Sequence, residues 1–213
     1  MNVIFFHIAT INHYQNIVDE ILSSIKDSGL INEVDKIYLS ILGSNDVKLL
    51  YNDKIEILFK SDNLDLCEFP ILMLLKKFSY SNKANILYLH TKGVNNNTPP
   101  INDWRKYMLY FNVFKYKDAL EKLKDYDTYG VDLRDNPTLH YSGNFWWTTS
   151  NYAKTLPDFN DIPLVISERH KAEFCICYNK GKHYSAWDCG IDVYQRHLHE
   201  YPENLYVKEF LKK

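Results

Sequence analysis

Residues 84–94 read ANILYLHTKGV. Ile86, Leu87, Tyr88 and Leu89 form a short apolar run suited to a strand buried on both faces, as in the interior of a parallel sheet. The chain then leaves that run through His90, Thr91, Lys92 and Gly93. An imidazole, a hydroxyl, an ammonium and a glycine side by side are unsuited to a core. They place a chemically rich loop at the end of a buried strand.

Working outward, similar runs occur on the N-terminal side. NVIFFHIAT (2–10) predicts a first strand, and INHYQNIVDEILSSIKDSGL (11–30) has helical spacing, with Ile17, Ile21, Leu22 and Ile25 on one stripe and Ser28-Gly29 as the stop. KIYLSILG (36–43) and KIEILFKS (54–61) predict the second and third strands, the latter entered through a turn at YNDK (51–54). EFPILMLLKKFSYS (68–81) predicts a helix, with Pro70 tolerable in its first turn. The opening stretch supplies the fourth strand. Beyond it, a polar loop GVNNNTPPIND (93–103) leads into a long helical region at 104–126. TYGVDL (128–133) predicts a fifth strand and YSGNFWWTTS (141–150) a sixth. Periodicity leaves RHKAEFCICYNKGKHYSAW (169–187) open between helix and strand, followed by a loop. Strands alternating with helices predict an α/β fold with a largely parallel sheet. Residues 1–213 read as a single domain, and the sequence leaves open whether residue 213 is a natural end or a cut through a longer chain.

Composition bounds the function. The chain is 46% hydrophobic, with 17 Tyr and 11 Phe, which sets it apart from disordered sequences. A net charge of -2 argues against bulk attraction to nucleic acid or an anionic membrane. No secretory signal pattern and no apolar run of about 20 residues is visible, so the expectation is a soluble, cytoplasmic protein without a membrane span. Cys67, Cys175, Cys177 and Cys189 lack a C-x-x-C pair; they read as reduced thiols, the last three close enough in sequence to permit a metal site.

Ligands of such sheets bind beyond the carboxyl ends of the strands. Those ends carry His7, Ala9 and Thr10; Ser61, Asp62 and Asn63; His90, Thr91 and Lys92; and Asp132, Arg134 and Asp135. The commonest α/β chemistries are excluded by missing motifs. IATINHYQN (8–16) has no glycine, which removes the dinucleotide fingerprint, and P-loop, G-x-S-x-G and H-E-x-x-H patterns are all absent.

With FHIAT (6–10), ILYLHTKG (86–93), HYSGNFWW (140–147), RHKAEF (169–174) and KHYSAW (182–187), the chain resembles a GT-A type glycosyltransferase, most closely the small domains of this kind encoded by chlorella viruses. The resemblance implies a Rossmann-like GT-A domain with a mostly parallel mixed sheet flanked by helices. It implies transfer of a hexose or deoxyhexose from a UDP-sugar to an oligosaccharide or glycoprotein acceptor, in glycan synthesis on a viral glycoprotein within the host cytoplasm. It assigns His7, Ala9, Thr10 and Asp62 to the nucleoside, and puts the diphosphate at the end of the fourth strand. Many relatives carry a D-x-D metal motif there; this chain has His90-Thr91-Lys92, and its one literal D-x-D, Asp125-Tyr126-Asp127, stands elsewhere.

A departing diphosphate needs its developing charge neutralised, and an ammonium supplies part of what a metal would. Lys92, His90 and Arg169 are therefore the diphosphate candidates, with metal independence as one expectation. Mn²⁺ or Mg²⁺ is the other, with His183 as a ligand and Asp132 as its carboxylate partner. Glu173 is the catalytic candidate: general base in an inverting enzyme, or support for an oxocarbenium-like sugar in a retaining one. The resemblance brings Gly143 and Asn144 close to the sugar. Trp146 and Trp147 point to opposite faces if they sit on a strand; one belongs in the core, and the other is a candidate for stacking on a sugar ring. Trp104 and Arg105 are placed on the acceptor side. A catalytically inactive nucleotide-sugar or glycan-binding module is the alternative.

Overall fold

The computed structural model describes residues 1–49, 53–161 and 168–207. The first half alternates as the sequence predicts: β1 (Asn2–Ala9), α1 (Tyr14–Asp27), α2 (Leu30–Glu33), β2 (Lys36–Leu42), β3 (Ile55–Ser61), α3 (Phe69–Ser81) and β4 (Asn85–His90). The turn expected at 51–54 lies partly outside the described residues. The second half is more broken. It comprises α4 (Pro99–Leu109), a π-helical turn (Tyr110–Phe114), α5 (Tyr116–Lys122), β5 (Thr128–Gly130), β6 (Leu133–Arg134), β7 (His140–Tyr141), β8 (Trp146–Thr149), α6 (Ser150–Ala153), α7 (Glu168–Phe174) and β9 (His183–Ser185).

Among the described residues, seven strands form one sheet in the order β3-β2-β1-β4-β8-β5-β9, and β6 pairs with β7 in a separate ribbon. β1 to β4 are parallel, β5 and β9 are parallel to each other, and β8 runs antiparallel to both of its neighbours, β4 and β5. The fold is thus α/β with a mostly parallel mixed sheet, as expected.

The central strands are apolar throughout because both faces of the sheet are covered. On β1, Ile4, Phe6 and Ile8 pack toward α1 and α4, while Val3 and Phe5 pack toward α3. On β4, Leu87 and Leu89 face the first layer and Ile86 and Tyr88 the second. This is the two-residue alternation of a strand, made invisible to a polarity pattern by burial on both sides. The α1 stripe of Ile17, Val18, Ile21, Leu22 and Ile25 fills the first layer. In the second, α3 contributes Ile71, Leu72 and Leu75, with Pro70 in its first turn as expected.

The expectation of a tryptophan facing a sugar is corrected by the same geometry. Trp147 packs into the first layer and Trp146 into the second, and both are wholly buried. The Trp147 Nε1 donates to the Asn112 carbonyl at 2.7 Å, inside the π-helical turn that splits the expected long helix. RHKAEF proves helical, within α7, and KHYS contains β9 at the sheet edge.

Register sets the site. His7 on β1 is level with His90 on β4, and Ala9 with Leu42 on β2, so three parallel strands end at one rim.

Candidate functional site

A cavity of about 340 Å³ opens at that rim, lined by the ends of β1 (His7, Ala9), β2 (Leu42) and β4 (His90, Thr91, Lys92). Two elements outside the sheet close it. Cys67 and Glu68 come from the segment entering α3, and Arg169 comes from α7.

Thr91 ties two strand ends together: its backbone N–H donates to the His7 carbonyl at 3.1 Å and its Oγ1 accepts from the Ala9 N–H, also at 3.1 Å. The following turn needs glycine. Gly93 has φ +86°, and a Cβ there would lie 2.4 Å from Ile101 Cγ2. The Lys92 side chain lines the cavity with its Nζ 3.9 Å from the centroid of the Trp104 ring, a cation–π contact. Burial pushes the Lys92 ammonium below its ordinary pKa, and the carboxyls of Glu173 and Glu68 oppose that shift. Lys92, His90 and Arg169 are thus brought together as the sequence predicts, with Glu173 on the same helix as Arg169.

The cavity floor is a bonded set. His90 Nε2 lies 3.0 Å from the Gly143 carbonyl oxygen, and His90 Nδ1 lies 3.3 Å from Glu68 Oε1. Glu68 Oε2 accepts from Asn144 Nδ2 at 2.8 Å, and Asn144 Oδ1 accepts from Trp146 Nε1 at 2.8 Å. Burial raises the Glu68 carboxyl pKa and lowers that of His90 to about 4. His7, whose Nδ1 is 3.0 Å from Ser40 Oγ, is lowered to about 4 by burial, partly offset by Glu68. Burial and Glu68 together hold the Tyr88 phenol well above its usual range.

Several sequence assignments are corrected. Asn144 and Gly143 do not present themselves to a sugar: the Asn144 amide is consumed by Glu68 and Trp146, and a Cβ on Gly143 would meet Met108 Sδ at 2.4 Å. Arg105 is buried behind the Lys92 loop rather than on an acceptor face. Its guanidinium binds Glu20 Oε2 at 2.6 and 2.9 Å and the Lys92 carbonyl at 3.0 Å. Trp104 is also buried, beneath the Lys92 ammonium. Thr10 points away from the cavity and donates to the Leu42 carbonyl at 3.1 Å, pinning the loop after β2. Asp62 is exposed and outside the lining; the neighbouring Asn63 instead accepts from the Asp65 N–H, shaping the turn before α3.

The expected metal ligands do not converge. His183 is in register with Thr128, the first residue of β5, and its Nδ1 lies 2.7 Å from Thr128 Oγ1. Asp132 follows the other end of that strand, about 13 Å away at roughly 3.3 Å per residue. It too lies outside the cavity, buried with φ +49°, its Oδ1 accepting from the Cys189 N–H at 2.7 Å and from Arg134 at 3.2 Å. Among the described residues, Asp132, Asp188 and Cys189 are close enough to share a cation, but Arg134 already forks onto Asp188 at 2.6 and 2.7 Å and reaches Asp132. Cys175 and Cys177 do not join that group. Asp127, of the D-x-D, accepts from the Lys182 N–H at the start of β5, far from the rim. At the end of β4 the groups are an imidazole held by Gly143 and Glu68, the Glu68 carboxyl held by Asn144, the Glu173 carboxyl brought in by α7, and two cations. Two cations among so few oxygens make a poor set for Mn²⁺ or Mg²⁺, which favour a shell of oxygen ligands.

Glu68 is the residue that sequence reasoning missed. In the sequence it reads only as a helix start before Pro70, and in the structure it makes no capping hydrogen bond there. An acid that opens a helix without capping it, on the rim side of a parallel sheet, is the available signal.

A search of curated proteins finds no match to the chain. The model of the family described as "Domain of unknown function (DUF8361)" matches residues 2–194, a span that holds the whole sheet and the cavity, and the chain belongs to that family.

Proposed function

We propose that the chain is a GT-A type glycosyltransferase that moves a hexose or deoxyhexose from a nucleotide-diphosphate sugar, with UDP as the expected nucleotide, to a carbohydrate acceptor in glycan synthesis. The observation that carries this reading is the rim cavity. Two cations, Lys92 and Arg169, face a space at the level ends of three parallel strands. The reversal of β8 within an otherwise parallel order supports the GT-A assignment.

In this reading Lys92 and Arg169 neutralise the diphosphate as the bond from the sugar anomeric carbon to the phosphate oxygen breaks. Glu173 accepts the proton of the acceptor hydroxyl as its oxygen bonds to that carbon, if the reaction inverts; if it retains, the carboxylate steadies the sugar cation. His7 and Ala9 at the end of β1 line the nucleoside side.

The inactive-module alternative draws on one observation: Asn144, Trp146 and Trp147, the expected sugar contacts, are all committed to internal bonds. Glu173→Gln separates the two readings, since an inactive module has no turnover to lose.

The test is calorimetric titration with UDP, with and without Mn²⁺, on wild type and Lys92→Ala. The expected result is metal-independent binding weakened at least about tenfold by the substitution, about 1.4 kcal/mol. Binding that requires Mn²⁺ and ignores Lys92, or no UDP binding at all, overturns the reading.

A further inference from the structure

We propose that Glu68 and His90 share one bridging proton and form the neutral floor of an anion site, so that a diphosphate binds the protonated pair and is repelled once that proton is lost. The inference rests on the diphosphate part of the proposed function and is independent of whether sugar transfer occurs.

The geometry assigns the protons. A carbonyl oxygen only accepts, so the 3.0 Å contact with Gly143 requires the proton on His90 Nε2. A tryptophan Nε1 only donates, so the 2.8 Å contact with Trp146 fixes Asn144 Oδ1 toward the indole and Nδ2 toward Glu68. Glu68 Oε2 is therefore an acceptor. What remains is His90 Nδ1 facing Glu68 Oε1 at 3.3 Å. Without a proton between them, a lone pair would confront a buried carboxylate. Burial disfavours charge on both partners, which places the bridging proton on the carboxyl.

The surroundings decide what loss of that proton would do. Lys92 and Arg169 bring positive charge to the cavity, and Glu173 brings negative charge from α7. His7 on β1 is neutral near pH 7 because burial holds it at about 4, and burial holds Tyr88, Cys67 and Cys175 protonated. The floor carboxyl is thus the group whose ionisation places a new negative charge against the anion. Gly143 and Asn144 hold the pair in place from the turn before β8, which gives HYSGNFWW a role in the anion site without touching the sugar.

The experiment uses inorganic pyrophosphate, measured calorimetrically between pH 6 and 9 on wild type and Glu68→Gln. In that variant the amide replacing the carboxyl would donate permanently toward His90 Nδ1. Ionisation of the ligand is common to both proteins and cancels in the ratio of their dissociation constants, whereas the ionised Glu68 carboxyl of wild type also holds Lys92 charged, which works against the expected trend and makes the test the stricter. That ratio is expected to change with pH, wild type weakening relative to the variant as pH rises and by up to about tenfold per pH unit once the Glu68 carboxyl ionises. A ratio that does not change with pH, or no saturable pyrophosphate binding in either protein, overturns the proposal. The ¹⁵N imidazole shifts of wild-type His90 give a second, ligand-free reading should the variant not fold. A protonated Nε2 at pH 7 supports the pair, and an unprotonated Nε2 overturns it. Failure of sugar transfer alone, with these results in place, counts against the transferase reading only.

Discussion

Asn144→Ala tests whether the turn before β8 holds the site and the core together. Truncation leaves Trp146 Nε1, wholly buried, without its acceptor at 2.8 Å, and Glu68 Oε2 without its donor at 2.8 Å. Each orphaned buried group costs about 1–3 kcal/mol. Asn144 also has φ +62°, a left-handed conformation that costs a residue other than Gly or Asn about 1 kcal/mol. The expected loss is about 3–7 kcal/mol, against a total stability of about 5–15 kcal/mol for a domain. Urea unfolding at pH 7, followed by tryptophan fluorescence, measures it. Asn144→Gly removes the same hydrogen bonds but tolerates the backbone, and should recover about 1 kcal/mol. Asn144→Asp would set a second carboxyl against Glu68, so its deficit should widen from pH 5 to pH 8. A loss below about 1 kcal/mol for Asn144→Ala, with an unchanged denaturant slope, would refute the reasoning.

Two further outcomes are expected. His7 and His90 have folded-state pKa values lowered from 6.5 to about 4, so the stability they contribute is complete above pH 6.5 and is lost as pH falls toward 4. Up to about 3 kcal/mol each is at stake, and less for His90 because it is coupled to Glu68. Urea midpoints measured between pH 7 and 4 should fall less for His7→Gln than for wild type; a difference between the two proteins that stays flat across that window contradicts the buried neutral imidazole of His7. The raised Glu68 carboxyl works the other way, its contribution being lost as pH rises through its folded-state value. Arg105→Lys should destabilise by about 2 kcal/mol, because one ammonium cannot serve both Glu20 and the Lys92 carbonyl as the planar fork does. Unfolding of Arg105→Lys within about 0.5 kcal/mol of wild type would mean that the Lys92 loop does not depend on that fork.

The elements legible in the sequence are those whose signal is local. β1, β2 and β4 are short runs with little polar interruption, and α1 carries a clean stripe, so a one-dimensional reading finds them. The π-helical turn at Tyr110–Phe114 is not legible, because it answers to a distant group: the Trp147 indole takes the Asn112 carbonyl. β9 and α7 are three and seven residues long, too short for a periodicity to separate helix from strand. The site divides in the same way. His90, Lys92 and Arg169 are visible as unusual residues at a strand end or on a short basic segment. Glu68 is hidden because its position looks like an ordinary helix start, and only the tertiary structure shows that it turns inward toward His90. The tryptophans mislead for a related reason. Alternation on a strand gives a free face only when one side of the sheet meets water, and here helices cover both.

The reversal of β8 and the chemistry of the rim have one structural cause. Gly143 and Asn144 are consecutive residues with φ +93° and +62°, and the chain leaves them to run antiparallel between β4 and β5. Two left-handed residues in succession turn the backbone so that the Gly143 carbonyl meets His90 and the Asn144 amide meets Glu68. The contact of Gly143 with Met108 and Trp104 fixes the depth of the turn against α4, whose Trp104 ring lies under the Lys92 ammonium. A side chain at position 143 would therefore push on the ring that supports the cation and move the carbonyl that fixes the imidazole. Floor and cation are held by one turn. For that reason Gly143→Ala should weaken pyrophosphate binding and lower stability together, whereas Lys92→Ala should weaken binding with little cost to folding. If Gly143→Ala left binding unchanged while it destabilised the fold, the coupling between β8 and the anion site would be refuted.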